Sequence, residues 1–189
     1  DFFRHDSSVI FQVLNQRALL QNEQPSMKIL VTGGSGFIGT NLMEKLISLP
    51  NGKLLNLDIV EPKLPSHFSY WKKTNIMDAN QVREAFALLQ PEAVIHLAAR
   101  TDTDEQNKLA DYELNTTGSA NVIDSIKSTP SVTRVIFTST QFVNQYHGLP
   151  KDDEDYAPHT VYGESKVIME KMIRNAGLKT HWTIIRPTN

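Results

Sequence analysis

The feature that most constrains the fold of this chain is a glycine-rich stretch between a predicted strand and a predicted helix. The stretch TGGSGFIG runs from Thr32 to Gly39, after the apolar run MKILV and before the helix-like segment TNLMEKLISL. Strand, glycine-rich turn and helix in this order can place a dinucleotide pyrophosphate at the N-terminus of the helix, where backbone N–H groups favour phosphate. Glycine-rich turns also merely connect strands to helices, so the stretch alone leaves both interpretations open.

Three glycines of this stretch, Gly33, Gly36 and Gly39, are spaced three residues apart rather than in the usual G-x-G-x-x-G pattern. Each has a predicted role: a tight turn, room for the backbone to approach phosphate, and close packing of the helix against the strand. If the stretch is a dinucleotide site, we expect these glycines and the intervening Phe37 and Ile38 to contact the cofactor.

The fold class follows from the rest of the pattern, because predicted strands and helices alternate along the chain from Met27 onward. Continuous apolar strands suit a parallel sheet that is buried on both faces. We therefore predict an α/β fold with a doubly wound parallel sheet, the Rossmann fold, with helices on both faces. The predicted strands are residues 28–31, 53–58, 67–72, 93–99, 133–140 and 180–186, and the predicted helices are residues 37–49, 78–90, 104–128 and 162–176.

The chain divides into two segments. Residues 27–189 form the predicted dinucleotide-binding domain, whereas residues 1–26 are expected to be an N-terminal extension or linker with apolar residues at helical intervals. The total of 189 residues suits one ordinary domain. Because the chain begins at Asp1 and ends on a strand that runs into its loop, HWTIIRPTN, we expect it to be a piece of a longer protein.

Composition argues against several classes of function. The net charge of −2 does not suit a nucleic-acid surface, and without Cys there is neither a disulfide nor a thiolate metal site. No apolar run approaches the roughly 18–20 residues of a membrane helix, and no signal-peptide pattern opens the chain, so we expect a cytoplasmic protein without membrane contact. The histidine and acidic residues within 96–105 are sequence neighbours rather than a spaced ligand set, so no metal site is predicted.

Asp58 ends the second predicted strand, 25 residues after Gly33. A carboxylate at this point accepts hydrogen bonds from the hydroxyls of an adenosine ribose and repels a 2′-phosphate. A surface Asp at a strand end is common, and the glycine turn upstream is what favours the ribose role. Asp58 therefore favours NAD over NADP, although Lys63 nearby keeps NADP open.

Tyr162 and Lys166 are four residues apart in YGESK, so a helix presents both on one face. A free tyrosine has a pKa of about 10, and lowering it by about 3 units for proton transfer at neutral pH takes about 4 kcal/mol. An adjacent cation lowers such a pKa by roughly 1–3 units, and a charged nicotinamide or a helix N-terminus adds to the effect. The structural alternative is an amphipathic Tyr–Lys pair on an exposed helix face.

Thr140 closes the fifth predicted strand, 22 residues before Tyr162. Ligands of open parallel sheets lie beyond the carboxyl ends of the strands, so the Thr140 hydroxyl is expected to face the same crevice as the glycine turn. There it would hydrogen-bond a substrate oxygen whose proton moves. Thr138 and Ser139 are rivals for this role, and a threonine that only serves strand propensity is the structural alternative.

Several motifs occur together and in register: TGGSGFIG, Asp58, HLAAR, YELNTTGSAN, FTST, YGESK and RPTN. In this order they resemble the extended short-chain dehydrogenase/reductases, in particular the NAD-dependent epimerase/dehydratase branch, whose members mostly act on nucleotide-linked sugars. The resemblance covers residues 27–189. It implies a Rossmann fold that is truncated here before the substrate-binding half, an NAD cofactor, and hydride transfer between a sugar carbon and the nicotinamide.

The resemblance also implies roles for individual residues. Tyr162 is the expected catalytic acid or base, Lys166 would lower its pKa and bind the nicotinamide ribose, and Thr140 is the expected hydroxyl partner and a substrate contact. Asn189 would begin the substrate contacts. The remaining expected cofactor contacts are Asn75, Ile76, Leu97, Ala98, Ala99, Asn115 and Pro187.

Two departures from the family pattern bear on these roles. Many members carry Asp-Ile-x-Asp against the adenine, where residues 75–78 read Asn-Ile-Met-Asp, and an Asn still forms hydrogen bonds. Members that eliminate water carry an Asp–Glu pair directly after the active-site Thr, where this chain has Gln141 and Phe142. Elimination needs such titrating groups, so a 4,6-dehydratase is not expected.

We therefore expect an NAD-dependent nucleotide-sugar epimerase that is a homodimer when full length. Two alternatives stay open. One is a net reductase or dehydrogenase of the same family, acting on a sugar nucleotide or another small carbonyl or alcohol. The other is a non-catalytic NAD-binding sensor or scaffold. For the 189-residue chain alone, we expect NAD binding at best and negligible turnover.

Overall fold

The computed structural model describes residues 27–188, except residues 51, 105, 107 and 146–148. The strands are β1 (Lys28–Thr32), β2 (Lys53–Asp58), β3 (Trp71–Lys73), β4 (Ala93–His96), β5 (Arg134–Thr138) and β6 (His181–Ile185). All their pairings are parallel, and they form one sheet in the order β3-β2-β1-β4-β5-β6. The α-helices are α1 (Phe37–Ile47), α2 (Ala79–Leu89), α3 (Ser119–Lys127) and α4 (Val161–Asn175).

The apolar side chains of the strands belong to two clusters, one on each face of the sheet. In β1, Leu30 belongs to one cluster while its neighbours Ile29 and Val31 belong to the other, as the alternation of side chains along a strand requires. The first cluster includes residues of α2, α3 and α4, and the second includes residues of α1. The predicted doubly wound parallel sheet with helices on both faces is therefore confirmed, and it explains why the strands read as continuous apolar runs.

The order of the strands reverses at β1, which defines where a ligand site opens. After β1 the chain continues to β2 and β3 on one side, whereas β4, β5 and β6 follow on the other side. The loops that leave β1 and β4 therefore diverge, and a crevice forms beyond the carboxyl ends of these strands. The glycine-rich turn leaves β1 at this crevice.

The strand predicted at residues 67–72 is only partly correct. Pro65–Tyr70 form a 3₁₀ turn, and the strand is the three-residue β3, which pairs with β2 at the edge of the sheet. The Trp71 indole N–H donates to the carbonyl oxygen of Asp58 at 3.0 Å, and the rings of Phe68 and Trp71 meet edge to face. These aromatic side chains, which resemble a strand in the sequence, thus serve local packing after a turn that begins with proline.

The helix predicted at residues 104–128 is shorter and less regular than expected. A 3₁₀ turn at Leu109–Tyr112 and a π-helical turn at Leu114–Gly118 precede α3. The Asn115 side chain accepts the backbone N–H of Arg100 at 2.8 Å and donates to the Arg100 carbonyl oxygen at 2.9 Å. Tertiary contacts of this kind override local helix propensity.

The strands predicted at residues 93–99 and 133–140 end earlier than expected, at His96 and Thr138. The residues that follow leave the sheet and line the crevice. The expectations for residues 1–26 and for Asn189 concern parts of the chain that lie outside the described residues. Within the described ranges, none of the helices has the length and apolar character needed to cross a membrane.

Candidate active site

A cavity of about 750 Å³ opens at the carboxyl ends of the strands, next to the point where the strand order reverses. Its volume lies in the range of small-molecule and cofactor sites. The glycine-rich turn, the start of α1, the tip of β2 and residues 74–76 line one end, which we call the glycine-turn end. Residues 138–140, Phe142, Tyr162 and Lys166 line the other, which we call the tyrosine end.

Most of the predicted site residues meet at this cavity. Its lining includes Gly33, Gly36, Phe37, Ile38, Gly39, Asp58, Asn75, Ile76, Leu97, Ala98, Ala99, Thr140, Tyr162, Lys166 and Pro187. Asn115 is not part of the lining: it is fully buried, and its amide also donates to the Ser165 hydroxyl at 2.9 Å. Neighbouring backbone and Ser165 occupy the Asn115 amide, and the cofactor contact expected of this residue stays a prediction.

The glycine-rich turn packs so tightly that side chains at Gly33 and Gly39 would clash with backbone atoms. Gly33 has a φ of +75°, and a Cβ there would lie 2.6 Å from the backbone nitrogen of Ala98. A Cβ on Gly39 would overlap the carbonyl oxygen of Gly33, so α1 packs directly on the turn that precedes it. Gly36 differs, because it is exposed and a Cβ there would meet the Gly33 oxygen at an ordinary 3.4 Å.

Gly36 is also the N-cap of α1, and this helix start suits an anion. No side chain caps the first turn of α1, and that turn contains no acidic residue. The first N–H groups of a helix have no partner within the helix, and the positive end of the helix dipole therefore faces the cavity without a negative side chain from the same turn. This arrangement is the one that binds phosphate groups in other folds.

Asp58 lies beside the glycine-rich turn, and backbone groups fix the orientation of its carboxylate. One carboxylate oxygen accepts the Ser35 N–H at 3.0 Å, and the other accepts the Val60 N–H at 3.0 Å. Asp58 and Lys63 both line the glycine-turn end. The two side chains that bear on the choice between NAD and NADP therefore lie at the same end of the cavity.

Residues 74–76 close the glycine-turn end. The Asn75 side-chain oxygen accepts the Met77 N–H at 3.0 Å, and the Asn75 N–H donates to the Gln81 side chain at 2.9 Å. Thr74 is only 1% exposed, and its hydroxyl has no hydrogen-bond partner among the described residues. Leaving a buried hydroxyl unpaired is costly, so Thr74 is a candidate ligand contact that no sequence motif indicates.

Tyr162 and Thr140 meet at the tyrosine end. Tyr162 lies in the first turn of α4, which begins where the Thr160 hydroxyl accepts the Gly163 N–H at 2.9 Å. Burial raises the pKa of Tyr162, and a hydrogen bond from the Thr140 hydroxyl acts in the opposite direction. A protonated phenol beside a second hydroxyl can bind an alcohol or carbonyl oxygen of a ligand and exchange a proton with that oxygen.

Lys166 lies one helical turn after Tyr162 and is only 2% exposed. Its ammonium donates to the carbonyl oxygen of Thr138 at 2.8 Å. Burial lowers the pKa of Lys166 to about 8, and the neighbouring Glu170 carboxylate opposes this shift. In the structure burial of the phenol dominates and raises the pKa of Tyr162, and the lowering expected from Lys166 stays a prediction.

Two further side chains of the tyrosine end have an evident place in the site. The Phe142 ring lines the cavity and meets the rings of Tyr162 and His159 edge to face, with centroids 6.2 and 5.3 Å apart. Thr138 also lines the cavity, and within the described ranges its buried hydroxyl has no hydrogen-bond partner. In the sequence, Phe142 stands out only as a departure from a family motif and Thr138 only as a rival of Thr140.

His96 lies under the cavity floor rather than in it. Its ring contacts the Thr32 hydroxyl at 2.7 Å on one side and the Ser119 hydroxyl at 2.9 Å on the other. Burial, helped by the charge of Lys166, lowers the pKa of His96 to about 3, so the ring is neutral at physiological pH. Among the described residues, no cluster of three or more His, Asp or Glu side chains is arranged to hold a metal ion.

The residues present fit an elongated dinucleotide. The cavity joins a helix N-terminus that suits a pyrophosphate to an oriented Asp58 that suits a ribose. The unpaired hydroxyls of Thr74 and Thr138 lie at opposite ends and would both gain partners from the polar groups of such a ligand.

Comparison with known proteins extends this picture. Residues 29–189 match the model of the NAD dependent epimerase/dehydratase family. The chain is 36% identical over 172 residues to N-acetyl-alpha-D-glucosaminyl-diphospho-ditrans,octacis-undecaprenol 4-epimerase of Escherichia coli O157:H7, a match that covers 85% of this chain and 48% of that protein. Its fold matches the NAD complex of UDP-glucose 4-epimerase from Thermus thermophilus with a TM-score of 0.72 and 25% identity, over 85% of this chain and 54% of that one.

The similarity is not restricted to epimerases. The chain is 28% identical over 181 residues to dTDP-glucose 4,6-dehydratase 1 of Escherichia coli K12, a match that covers 78% of this chain and 50% of that protein. The expectation that Gln141 and Phe142 make a dehydratase unlikely is therefore not confirmed and stays a prediction. The chain spans about half the length of these curated relatives.

Proposed function

The chain belongs to the NAD-dependent epimerase/dehydratase family, and from this premise we propose that it is the cofactor-binding part of a nucleotide-sugar epimerase. The observation that carries the proposal is the joining of two different ends in one cavity. One end offers a helix N-terminus and Asp58, and the other offers Tyr162, Thr140 and Lys166. A dinucleotide that reaches from one end to the other would place its reactive ring beside the tyrosine.

Different residues of the cavity would bind different parts of NAD. The glycine-rich turn and the start of α1 would hold the pyrophosphate, Asp58 the adenosine ribose, and Lys166 the nicotinamide ribose. Asn75, Ile76 and the unpaired Thr74 hydroxyl would line the adenine. NAD bound in this way supplies the hydride acceptor and donor of the reaction.

The protein's own contribution is to hold one sugar oxygen and to move its proton. Tyr162 would remove the proton of the sugar hydroxyl when the carbon is oxidised and return it when the carbon is reduced from the other face. Burial favours the neutral phenol of Tyr162, so the pKa of Tyr162 must fall for this role. A neighbouring cation lowers such a pKa by roughly 1–3 units, and the Lys166 ammonium and the charged nicotinamide of NAD would be the cations here. Thr140 would hold the same oxygen, and the Phe142 ring would keep water away from the reacting carbon.

A reaction assay distinguishes the candidates. The whole protein, loaded with NAD, is incubated with a panel of uridine, thymidine and guanosine diphosphate sugars, and the products are separated while absorbance at 340 nm is followed. We expect interconversion of epimers without a net absorbance change. A stoichiometric change in NADH would replace the epimerase with a net dehydrogenase or reductase, and loss of water from the sugar would replace it with a dehydratase.

A second measurement concerns the 189-residue chain alone. We expect calorimetry to detect NAD binding to this chain, and we expect negligible conversion of sugar nucleotides. Robust turnover by the chain alone would contradict the assignment of the substrate-binding half to other sequence. NAD binding by the whole protein without any reaction across the panel would favour a sensor or scaffold. A homodimer of the whole protein stays a prediction.

A further inference from the structure

Helix α4 carries a second buried ionisable group, Glu170, one helical turn beyond Lys166. Glu170 is 0% exposed and Lys166 is 2% exposed. Residues four apart on a helix lie side by side, so a carboxylate and an ammonium share one buried face of α4. Burying charges costs stability unless they are paired and hydrogen-bonded, and the surroundings of Glu170 show how this one is held.

Hydrogen bonds from Arg186 and Tyr156 fix the Glu170 carboxylate. Arg186 donates from Nε to one carboxylate oxygen at 2.8 Å and from its terminal nitrogen to the other at 2.6 Å. The Tyr156 hydroxyl donates to the second oxygen at 2.9 Å. Burial alone would raise the pKa of Glu170, but Arg186 above all, together with the hydroxyls of Ser139 and Tyr156, outweighs it and lowers the pKa, so the group is a carboxylate at neutral pH.

The partners of Glu170 come from segments that frame the tyrosine end. Arg186 directly follows β6 and precedes Pro187, which lines the cavity, and it also donates to the Asp153 carbonyl oxygen at 2.6 Å. Tyr156 belongs to the loop before α4 and accepts a hydrogen bond from Arg174 at 3.1 Å. Glu170 therefore joins α4, the exit of β6 and the loop at residues 153–156.

We propose that Glu170 is a positioning residue for Lys166. Its fixed negative charge keeps Lys166 in the ammonium form and, through Arg186 and Tyr156, holds the face of α4 that presents Lys166 to the cavity. The part of this proposal that concerns cofactor and turnover rests on the proposed function, whereas the part that concerns the protonation of Lys166 does not.

Among the described residues, Glu170 is the source of negative charge that acts on Lys166. His96 on β4 faces Lys166 from the sheet and is neutral, and Tyr162 on the same helix is a neutral phenol in the structure. Arg186 contributes a positive charge, and it is paired with the Glu170 carboxylate. Burial lowers the pKa of Lys166 to about 8, and Glu170 is the charged group that raises it.

The test measures the pKa of Lys166 directly in the whole protein. The Cε chemical shift of isotope-labelled Lys166, identified by its absence in Lys166→Met, is followed by NMR as a function of pH. Glu170→Gln removes the charge but retains an oxygen that accepts from Arg186 and Tyr156. We expect the pKa of Lys166 to fall by about 1–3 units in this variant. The matched control Tyr156→Phe removes a neutral hydrogen bond and retains the charge, so we expect a shift well below one unit.

Turnover and NAD affinity are measured in parallel. We expect the alkaline limb of the pH profile of kcat to move downward in Glu170→Gln by the same amount as the Lys166 pKa, and to stay in place in Tyr156→Phe. An NMR shift without any movement of the kcat profile supports the role of Glu170 and instead removes Lys166 from the proposed mechanism. An unchanged Lys166 pKa in folded Glu170→Gln overturns the proposal and leaves Glu170 with a structural role alone.

A further variant keeps the test decisive if Glu170→Gln does not fold. A buried charge that has lost its partner destabilises a protein most. The double variant Glu170→Gln with Arg186→Met avoids this case, because both members of the ion pair are removed. We expect the pKa of Lys166 to be lower than in the unmodified protein, by less than in the single variant because a positive charge is removed as well. An unchanged pKa in this variant overturns the proposal too.

Discussion

The two ends of the cavity are formed by different kinds of chemical groups. The glycine-turn end is made mainly of backbone: glycines pack against backbone atoms, and two backbone N–H groups orient Asp58. Large apolar side chains remain exposed there, namely Phe37 at 62%, Ile38 at 39%, Ile59 at 56% and Val60 at 59%. The tyrosine end instead buries ionisable side chains, namely Tyr162 at 7%, Lys166 at 2% and Glu170 at 0%.

The difference indicates which property each end serves. A surface of backbone donors and exposed apolar side chains holds a ligand without burying charges inside the protein. A buried ammonium destabilises the fold, and such perturbed groups concentrate where chemistry requires them. Substitutions at the tyrosine end should therefore separate activity from stability, whereas substitutions at the glycine-turn end should act on cofactor affinity or on the fold itself.

The largest expected effect comes from removing the phenol oxygen at the tyrosine end. In Tyr162→Phe the ring keeps its contact with Phe142, so the fold and the NAD affinity should change little. Removal of a group that transfers a proton in the transition state typically lowers the rate by about 10²–10⁴-fold. We expect kcat of the whole protein to fall in this range, with the dissociation constant for NAD, measured by calorimetry, within about threefold of the original.

The matched control is Tyr112→Phe, which removes another buried tyrosine hydroxyl, one that donates to the Asp102 carbonyl oxygen at 2.7 Å. This change should lower stability by about 1 kcal/mol and kcat only slightly. Full activity in Tyr162→Phe would show that the tyrosine end is not the reactive end, and it would contradict the different roles assigned to the two ends.

The second prediction separates stability from activity at Lys166. The folded pKa of about 8 is below the ordinary value of 10.5, so between these pH values the unfolded chain binds more protons and the stability of the protein rises with pH. The full difference corresponds to about 3 kcal/mol at 1.36 kcal/mol per unit. At pH 7 the buried ammonium is therefore a net cost to the fold.

We expect Lys166→Met to raise the free energy of unfolding at pH 7 by about 1–3 kcal/mol, less than the full difference because the Thr138 carbonyl oxygen loses its donor. Urea titrations at pH 7 and pH 10 measure this change, and the gain should shrink at the higher pH. The same variant should lose at least about 100-fold in kcat. A loss of stability at pH 7 would mean that Lys166 is a net stabilising group and that the two ends do not differ as described.

The glycine-turn end could be predicted from the sequence because its determinants are local. Gly33, Gly36 and Gly39 follow one another within seven residues, and strand, turn and helix each carry their own pattern. The parallel arrangement of the strands follows from the same alternation, because parallel strands require crossover connections. Placement of Asp58 beside the turn then depends only on β1 and β2 being neighbours, and it agrees with the structure.

The details of the tyrosine end could not be predicted in the same way. The spacing of Tyr162 and Lys166 places both on one helix face, but the Thr138 carbonyl oxygen that binds the ammonium lies 28 residues earlier in the chain. The pair of Glu170 and Arg186 is 16 residues apart and joins a helix to the end of a strand. Such contacts depend on packing between elements, which no local pattern contains.

The third prediction uses two glycines of the same turn. A Cβ on Gly39 overlaps the Gly33 carbonyl oxygen, which belongs to backbone and yields little. We expect Gly39→Ala to lower the free energy of unfolding by roughly 1–3 kcal/mol, the usual range for overpacking. A Cβ on Gly36 meets that oxygen at 3.4 Å, so Gly36→Ala should fold normally.

The informative measurement is the NAD affinity of the two variants at a temperature where both are folded. Gly36 is exposed at the N-cap of α1, so a methyl group there should occupy the approach to the helix N-terminus and weaken NAD binding at least about tenfold. Urea titration and calorimetry would then place the two glycines in separate classes, one for the fold and one for the ligand. Unchanged NAD binding in Gly36→Ala would mean that the pyrophosphate lies elsewhere.

The smallest expected effect tests what the glycine-turn end selects. In Asp58→Asn the amide oxygen still accepts the Ser35 N–H, whereas the charge that repels a 2′-phosphate is lost. We expect the affinity for NAD to fall about tenfold, or about 1.4 kcal/mol, and the affinity for NADP to rise.

Lys63→Ala is the matched control: it removes the cation at the same end, so it should weaken NADP binding and leave NAD binding unchanged. Calorimetry with both dinucleotides on both variants separates a ribose contact at Asp58 from a general effect of charge. If Asp58→Asn lowers the two affinities equally, the carboxylate maintains the shape of the turn through Ser35 and Val60, and selectivity for NAD arises from another part of the cavity.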